Sequence, residues 1–456
     1  ALGGRARPLR PGDRAVVGSL GLEPFRVNHS IADAVGLAIH TPLGTVVHSG
    51  DFKFDQTPVD GQVADFHRLA DLGDRGVLLL LSDSTNAERP GYTPSEWVVG
   101  ESFDRIFPTA PGRVLVACFA SNLPRIQQVF AAARRHGRRV AVVGRSLEKV
   151  VEVAQGLGYL EVPADSLVPV EQMDRVPARG VVVLTTGSQG EPMSALTRMA
   201  AGEHKRVEIQ PTDTVIIAAS PVPGNERLVH RTVDNLFRLG ARVIQNSVSG
   251  VHVSGHASQE ELKLMLNLVR PRFFIPVHGQ YRHLVSHAAL AESLGIPRSN
   301  ILLGENGTLF QFTARSAAVA GRVPAGNVLV DGLGVGDVGS VVLRDRRQLS
   351  SEGLLVVVVV QDKESGGLLS GPDIVSRGFV YVKESEPLLE EAKRLAREVV
   401  AEAGAQHQGV RVQAGGPATQ APEWGNLKGR LREVLGRHLF EKTGRRPMIL
   451  PIVMEV

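Results

Sequence analysis

Short apolar runs separated by turn residues fill the first fifty positions. Arg14–Val17, Phe25–Asn28 and Ala34–Ile39 read as strands, Pro42-Leu43-Gly44 turns the third into Thr45–His48, and little helix is expected before Gly50. After Val77–Leu81 the pattern changes to strand-like runs alternating with helical periodicity. These are Val114–Phe119, helix Leu123–His136, Val140–Val143, helix Leu147–Leu157, Val181–Leu184, Val215–Ala219, helix Glu226–Leu239 and Val243–Ile244. Such alternation builds βα units on a largely parallel sheet, so a doubly wound α/β domain is expected over 95–250. A capping box at Ser258 and Glu261 opens the next helix, between Ser254-Gly255-His256 and Pro276-Val277-His278, and this stretch is expected to rejoin the opening β region.

The tail reads as a separate small α+β unit: a strand at Leu354–Val360, an amphipathic helix from Pro387, a helix over Asn426–Phe440 and a closing strand at Met448–Met454. The expected organisation is therefore a first segment over 1–94, an inserted domain over 95–250, a returning segment over 251–320, a linker over 321–337 and a C-terminal domain over 338–456. Gln406–Ala421 is the expected flexible loop.

Length supports several domains, since 456 residues exceed what one hydrophobic core serves. The longest aliphatic run, Leu354–Val360, is far shorter than the roughly 18 residues of a membrane span, and no leader is read at the start. A single cysteine, Cys118, excludes an internal disulfide framework and a zinc site built from several thiolates. Any metal site must then use His, Asp and Glu, and a reducing cytoplasm is the simplest compartment. The net charge of +4, from 51 Lys+Arg against 47 Asp+Glu, means that any basic groove is local.

Three polar residues from distant segments follow apolar strands: His29 in Val27-Asn28-His29-Ser30, Asp51 in Ser49-Gly50-Asp51-Phe52, and His278 after Phe273-Phe274-Ile275. Each alone also suits a turn or cap. Together, imidazole nitrogen and carboxylate oxygen make donors for Zn²⁺ or Mn²⁺, and a carboxylate can bridge two ions, which is a hydrolytic metal site in outline. His252-Val253-Ser254-Gly255-His256 precedes a capped helix, so hydroxyl, imidazole and backbone donors gather at a positive helix end, suited either to a phosphate or to a helix-entry turn. Ala120-Ser121-Asn122, between a strand and a helix with Pro124 in its first turn, reads either as a second anion cradle or as an N-cap.

These motifs resemble, over the entire chain, the ribonuclease J family of the metallo-β-lactamase superfamily and its β-CASP branch. Asn28-His29-Ser30-Ile31 resembles the third metal motif and Gly50-Asp51-Phe52-Lys53-Phe54-Asp55 the fourth, whose Asp bridges the metals. Leu81-Ser82-Asp83-Ser84-Thr85-Asn86 resembles β-CASP motif A, Ser254-Gly255-His256-Ala257-Ser258 motif B, and Pro276-Val277-His278-Gly279-Gln280 motif C. The resemblance implies a partial αββα metallo-β-lactamase-type domain, an inserted doubly wound β-CASP domain and a C-terminal α+β domain. It implies a zinc-dependent ribonuclease on single-stranded RNA, a 5′-to-3′ exonuclease with endonuclease activity, in RNA maturation including rRNA processing and in decay. His29, Asp51 and His278 would be metal ligands for two Zn²⁺, with Mn²⁺ or Mg²⁺ as alternatives. Asp83 and His256 would be catalytic, and Ala120, Ser121, Asn122, His252, Val253, Ser254, Gly255 and His256 would bind substrate. A cytoplasmic homodimer or homotetramer, an RNA-degradation complex and no membrane are the implied setting.

The superfamily's His-x-His-x-Asp-His motif appears nowhere in the sequence. The chain is therefore expected to be part of a longer product, with at most weak metal binding and negligible hydrolysis by itself. The competing expectation is a non-catalytic RNA-binding or assembly scaffold. Gly187-Ser188-Gln189-Gly190-Glu191-Pro192 reads as a turn, and His40, His48, His67 and His136 as structural.

Overall fold

The computed structural model describes residues 8–191, 193–222, 224–245, 250–332, 334–336, 338–362, 367–380, 385–413 and 424–456, the side chains of 406–413 and 424–426 excepted. The chain divides into two units, Ala1–Ala325 and Gly326–Val456.

The first unit opens with β1 (Ala15–Val17), β2 (Leu20–Arg26), β3 (Val35–Thr41) and β4 (Gly44–His48), an antiparallel meander. A helix, α1 (Phe66–Arg75), capped by the Asp65 side chain, leads to β5 (Val77–Asp83), which pairs parallel with β4. Six of the seven β5 residues are buried, as a near-continuous apolar run flanked on both sides requires.

Between β5 and the strand that will join it lies the inserted α/β region. It runs α2 (Trp97–Ile106), β6 (Val114–Ala117), α3 (Leu123–Arg135), β7 (Arg139–Val143), α4 (Arg145–Gly156), β8 (Val181–Thr185), α5 (Ala195–Ala200), β9 (Thr214–Ile217), α6 (Glu226–Arg238) and β10 (Arg242–Gln245). Its strands are all parallel in the order β10-β9-β6-β8-β7, and every residue of β6, β8 and β9 is buried. Apolar clusters cover both faces, one around Phe103, Phe107 and Phe130, the other around Met199, Val215 and Leu236.

The chain returns through α7 (Gln259–Val269) to β11 (Pro271–Val277), which pairs parallel with β5 from Pro271 opposite Val77 to Val277 opposite Asp83. The six-stranded sheet thus reads β1-β2-β3-β4-β5-β11. The expected capping box at α7 is present, with Ser258 N donating to Glu261 Oε2 at 2.8 Å. Next come α8 (Tyr281–Ser293) and a hairpin of β12 (Thr308–Phe312) and β13 (Ala317–Arg322).

In the second unit a short pair, β14 (Val330–Asp331) with β15 (Gly334–Val335), lies in the stretch expected to be linker. It is followed by α9 (Ser340–Glu352), β16 (Leu354–Gln361), β17 (Leu368–Arg377), α10 (Glu386–Gln413), α11 (Trp424–Thr443) and β18 (Met448–Glu455). The strand order is β17-β16-β18, and α10 and α11 bury Ala392, Ala396, Leu431 and Leu435 with the Leu355, Val357 and Val359 side of β16.

Several elements differ from the sequence expectation. The second strand ends at Arg26 rather than Asn28, and Val114–Phe119 stops at Ala117, where the ladder pairing ends. Helices α1, α2, α5, α8 and α9 were not expected. Residues Gln406–Gln413, expected in a loop, continue α10; 414–421 lie outside the described residues. Among the described residues no helix is long and apolar enough to cross a membrane.

One buried group of α8 sets an acid limit on stability. His287 is fully buried with its ring against Phe274; Nδ1 bonds the Ser84 hydroxyl at 3.0 Å and Nε2 has no partner among the described residues. Burial pushes its pKa down to about 3. The unfolded chain protonates near 6.5 and the folded one does not, so stability is full above pH 6.5 and falls as pH drops toward 3, at up to about 1.4 kcal/mol per pH unit. His287→Leu is expected to flatten the acid limb of denaturant-derived stability between pH 6.5 and 4.5 by about that slope. Equal slopes in both proteins would count against the assignment.

Candidate metal centre and phosphate-binding turn

Strand direction explains why distant residues meet. Because β2 and β4 each run antiparallel to β3, they share a direction, and β5 and β11 run parallel to β4. The C-terminal ends of β2, β4, β5 and β11 therefore lie along one edge of the sheet, carrying His29, Asp51, Asp83 and His278. An isolated bridge between Asn28 and Lys53 ties the first two loops together.

Around the Asp51 carboxylate, His29 Nε2 stands 4.0 Å and His278 Nε2 3.7 Å from the same oxygen, Oδ2. These distances exceed hydrogen bonding but suit donors arranged about a shared cation. His29 Nδ1 is 2.8 Å from the Gly255 carbonyl. Donation there fixes the tautomer that leaves Nε2 with its lone pair, as in metal-ligating imidazoles. Burial, opposed by the Gly255 bond, lowers the His29 pKa and favours the neutral ring. Two imidazoles and a carboxylate are thus a donor set that fits a divalent cation of the Zn²⁺ or Mn²⁺ kind.

His278 adopts φ +58°, a left-handed conformation, with Gly279 next to it at φ +111°. Its carbonyl accepts from Ser84 N at 3.3 Å. A non-glycine residue held there costs of order 1–3 kcal/mol, a strain typical of functional turns. Glycine at 255 is required for a different reason: a Cβ would lie 2.8 Å from the His29 ring atoms Cε1 and Nδ1.

His256 joins the three. Its ligand atom lies within 4.8 Å of those of His29 and Asp51, and within the same distance of those of Asp83 and His278. The His256 ring centroid is 4.9 Å from that of His29 and 5.4 Å from that of His278. Its Nδ1 is held by Asp83 Oδ2 at 2.7 Å, leaving Nε2 for the cluster. Burial opposes charge on both partners, yet their bond and mutual attraction win, so the His256 pKa is raised and the Asp83 pKa lowered. The other Asp83 oxygen accepts from Thr85 N at 3.0 Å and Thr85 Oγ1 at 2.8 Å. Within the described chain, the imidazole that Asp83 orients is that of His256.

The Ser254-Gly255-His256 turn is held by residues the sequence did not single out. Asn86 Nδ2 donates to Ser254 Oγ at 2.9 Å and to the His256 carbonyl at 2.8 Å, and Thr93 Oγ1 donates to that carbonyl at 2.8 Å. The Glu261 carboxylate, 0% exposed, accepts from Phe54 N, Thr93 N and Ser258 N at 2.7–2.8 Å, joining three loops at one point.

A cavity of about 320 Å³ brings His29, Lys53, Asn122, Val253, Ser254 and Gly255 to one wall. Asn122 spends its oxygen as the α3 N-cap, accepting from Arg125 N at 3.1 Å. His252 is turned to another purpose: Nδ1 faces Arg125 Nη1 at 2.8 Å, and burial, with Arg125 and other cations adding to it, pushes the pKa to about 3. It is a neutral acceptor braced against a buried guanidinium.

A meander-plus-parallel sheet interrupted by a parallel α/β insertion, with a His/Asp cluster at its strand ends, defines a β-CASP metallo-hydrolase of the metallo-β-lactamase fold. Residues 111–236 match the ribonuclease J β-CASP domain, 242–299 the Zn-dependent metallo-hydrolase RNA specificity domain and 341–456 the ribonuclease J C-terminal domain. Ribonuclease J2 of Bacillus subtilis (strain 168) is 49% identical over 433 residues, 95% of this chain and 75% of that protein. Ribonuclease J of Thermus thermophilus is 45% identical over 450 residues, 98% of this chain and 75% of its own, and ribonuclease J 1 of Streptococcus pyogenes is 44% identical over 430, 94% and 74% respectively. The chain belongs to the ribonuclease J family.

Proposed function

We propose that this chain forms most of a zinc-dependent ribonuclease that degrades and matures single-stranded RNA, rRNA precursors included. It acts 5′-to-3′ as an exonuclease and also cuts internally, in the cytoplasm, as a homodimer or homotetramer serving an RNA-degradation complex. The observation that carries this reading is the approach of His29 Nε2 and His278 Nε2 to one oxygen of Asp51, beside the Ser254-Gly255-His256 turn.

His29, Asp51 and His278 would hold divalent cation, two Zn²⁺ in the complete site or Mn²⁺ or Mg²⁺ in their place. Bound metal supplies hydroxide at neutral pH and offsets charge on the phosphate. The residues of this chain do the rest. Val253, Ser254 and Gly255 line the cavity in which the phosphate would lie, and Asn122 lines it too, while His252, Ala120 and Ser121 are not among its lining residues. His256, its Nδ1 fixed on Asp83, presents Nε2 to the scissile group and delivers a proton to the leaving oxygen.

Three donors cannot complete two coordination shells, and no His-x-His-x-Asp-His motif stands in the sequence. The 456-residue polypeptide alone is therefore expected to bind zinc weakly and to hydrolyse RNA negligibly, acting as an RNA-binding scaffold. Tight zinc uptake with RNA cleavage overturns that. Fused to a segment carrying the motif, it is expected to cleave, and His256→Ala then to lower turnover by about 10²–10⁴-fold with metal content unchanged. Unaltered turnover would remove His256 from the mechanism.

A further inference from the structure

Gly187 and Ser188, in the segment that the sequence leaves as a turn, line a second cavity of about 950 Å³ in the inserted domain. Register places the cavity at the C-terminal edge of the parallel sheet: Ala117 and Val143 both pair with Thr185, so the chain leaves β6, β7 and β8 side by side at Cys118, Gly144 and Thr186. That edge is where open α/β sheets hold ligands. The volume lies within the range of small-molecule sites and suits a nucleotide-sized group.

Its wall carries polar groups that the protein does not use. Ser188 is only 3% exposed, lines the cavity and has no hydrogen-bond partner among the described residues. Arg145 and Lys205 make no ion pair or side-chain hydrogen bond among the described residues, and Arg198 has only the Glu203 carbonyl, at 3.2 Å. Arg206 is paired with Glu171. His204 accepts from the Arg206 and Val207 amides at Nδ1, which makes Nε2 an N–H donor. Glu148 and Glu191 are the carboxylates on the same wall, and Glu148 lies 3.4 Å from Gly144 N. Three cations without a carboxylate partner among the described residues, Arg145, Arg198 and Lys205, face these two carboxylates. Phe119, partly exposed on the wall, offers an aromatic face.

We propose that this cavity is a nucleotide-binding subsite, taking a phosphate at Ser188, Arg145 and Arg198 and a base against Phe119. Guanidinium groups and a buried hydroxyl match phosphate oxygens, and base stacking on an aromatic ring tolerates any sequence. The nucleotide is one residue of an RNA strand. Phe119 and Ala120 border this cavity while Asn122 borders the 320 Å³ cavity beside His29, so one tetrapeptide separates the two. This assignment rests on the RNA reading above and extends it to a second grip on the strand.

Fluorescence-anisotropy titration of the chain with labelled oligouridylates of increasing length, each over a range of salt, tests it, with uridine monophosphate titrated calorimetrically in parallel. Arg145→Gln/Arg198→Gln is expected to abolish the gain in affinity that longer strands show, and to lower the slope of log K against log salt by about 0.7 for each phosphate no longer neutralised. Ser188→Ala is expected to weaken long-strand binding about fivefold. Short-strand affinity should be unchanged in both. Unchanged length dependence and salt slope in the double variant overturn the subsite while leaving the RNA reading intact. Variant-sensitive binding of uridine monophosphate without any effect on RNA assigns the cavity to free nucleotide and overturns the strand assignment. Failure of the unaltered chain to bind RNA of any length sinks the RNA reading itself, and with it this second grip.

Discussion

Arg125→Met is expected to destabilise the first unit by about 3–5 kcal/mol, a large loss for a single substitution. The guanidinium is 0% exposed. It donates from Nε and Nη2 to the two Glu96 oxygens, each at 2.8 Å, and from Nη1 to the Ala218 carbonyl at 2.6 Å and His252 Nδ1 at 2.8 Å. Nη2 also reaches the Val253 carbonyl at 3.3 Å. Methionine leaves a buried carboxylate, two carbonyls and an imidazole without their donor. Most of the cost is the orphaned Glu96 charge, so adding Glu96→Gln should restore part of the stability, whereas Arg125→Lys should not, because an ammonium cannot supply the planar fork. Chemical denaturation of the three variants decides the matter. A loss below about 1 kcal/mol for Arg125→Met, or no recovery in the double variant, defeats the account. The effect bears on function because His252 and Val253 lead directly into Ser254-Gly255-His256.

Asp51→Asn is expected to reduce divalent-cation affinity by at least about 100-fold. Substituting the groups that merely orient a ligand already costs about 10–100-fold, and Asp51 supplies the oxygen on which His29 and His278 converge. Its side chain is 44% exposed, so the fold should barely register the change, within about 0.5 kcal/mol. With the chain fused to a segment carrying the His-x-His-x-Asp-His motif, competition with a chromophoric chelator for zinc, beside a thermal melt, separates the two effects. Affinity within a few-fold of the unaltered chain would displace Asp51 from the centre of the cluster.

What the sequence disclosed, and what it hid, follows from range. His29, Asp51 and His278 are legible because each polar residue breaks an apolar run at a strand end, a local signal. The pairing of His256 with Asp83 is not, since it joins a helix entry to a strand end across the inserted domain. Glu261 was visible only as half of a capping box; that its carboxylate also fastens Phe54 and Thr93 depends on burial, which charge alone argues against. Arg125 was hidden for the same reason. His252 carried the right residue type for a phosphate contact, but a buried cation on α3, 127 residues earlier, claimed its Nδ1. Helices α1 and α2 escaped notice beside the stronger strand signals around them, whereas the parallel insertion was plain from its alternation of apolar strands and amphipathic helices.

The in-register pairing of β11 with β5 across the whole insertion has a bearing on how the protein is made. A nascent chain emerging at about 5–20 residues per second holds β5 with one side unpartnered for roughly 10–40 s before β11 leaves the ribosome. During that interval the inserted sheet, complete in itself, can close first, and His278 is the last of the cluster to reach its place. The pocket that would seize a cation thus comes into being only after the insertion has been made, with the second unit still to follow.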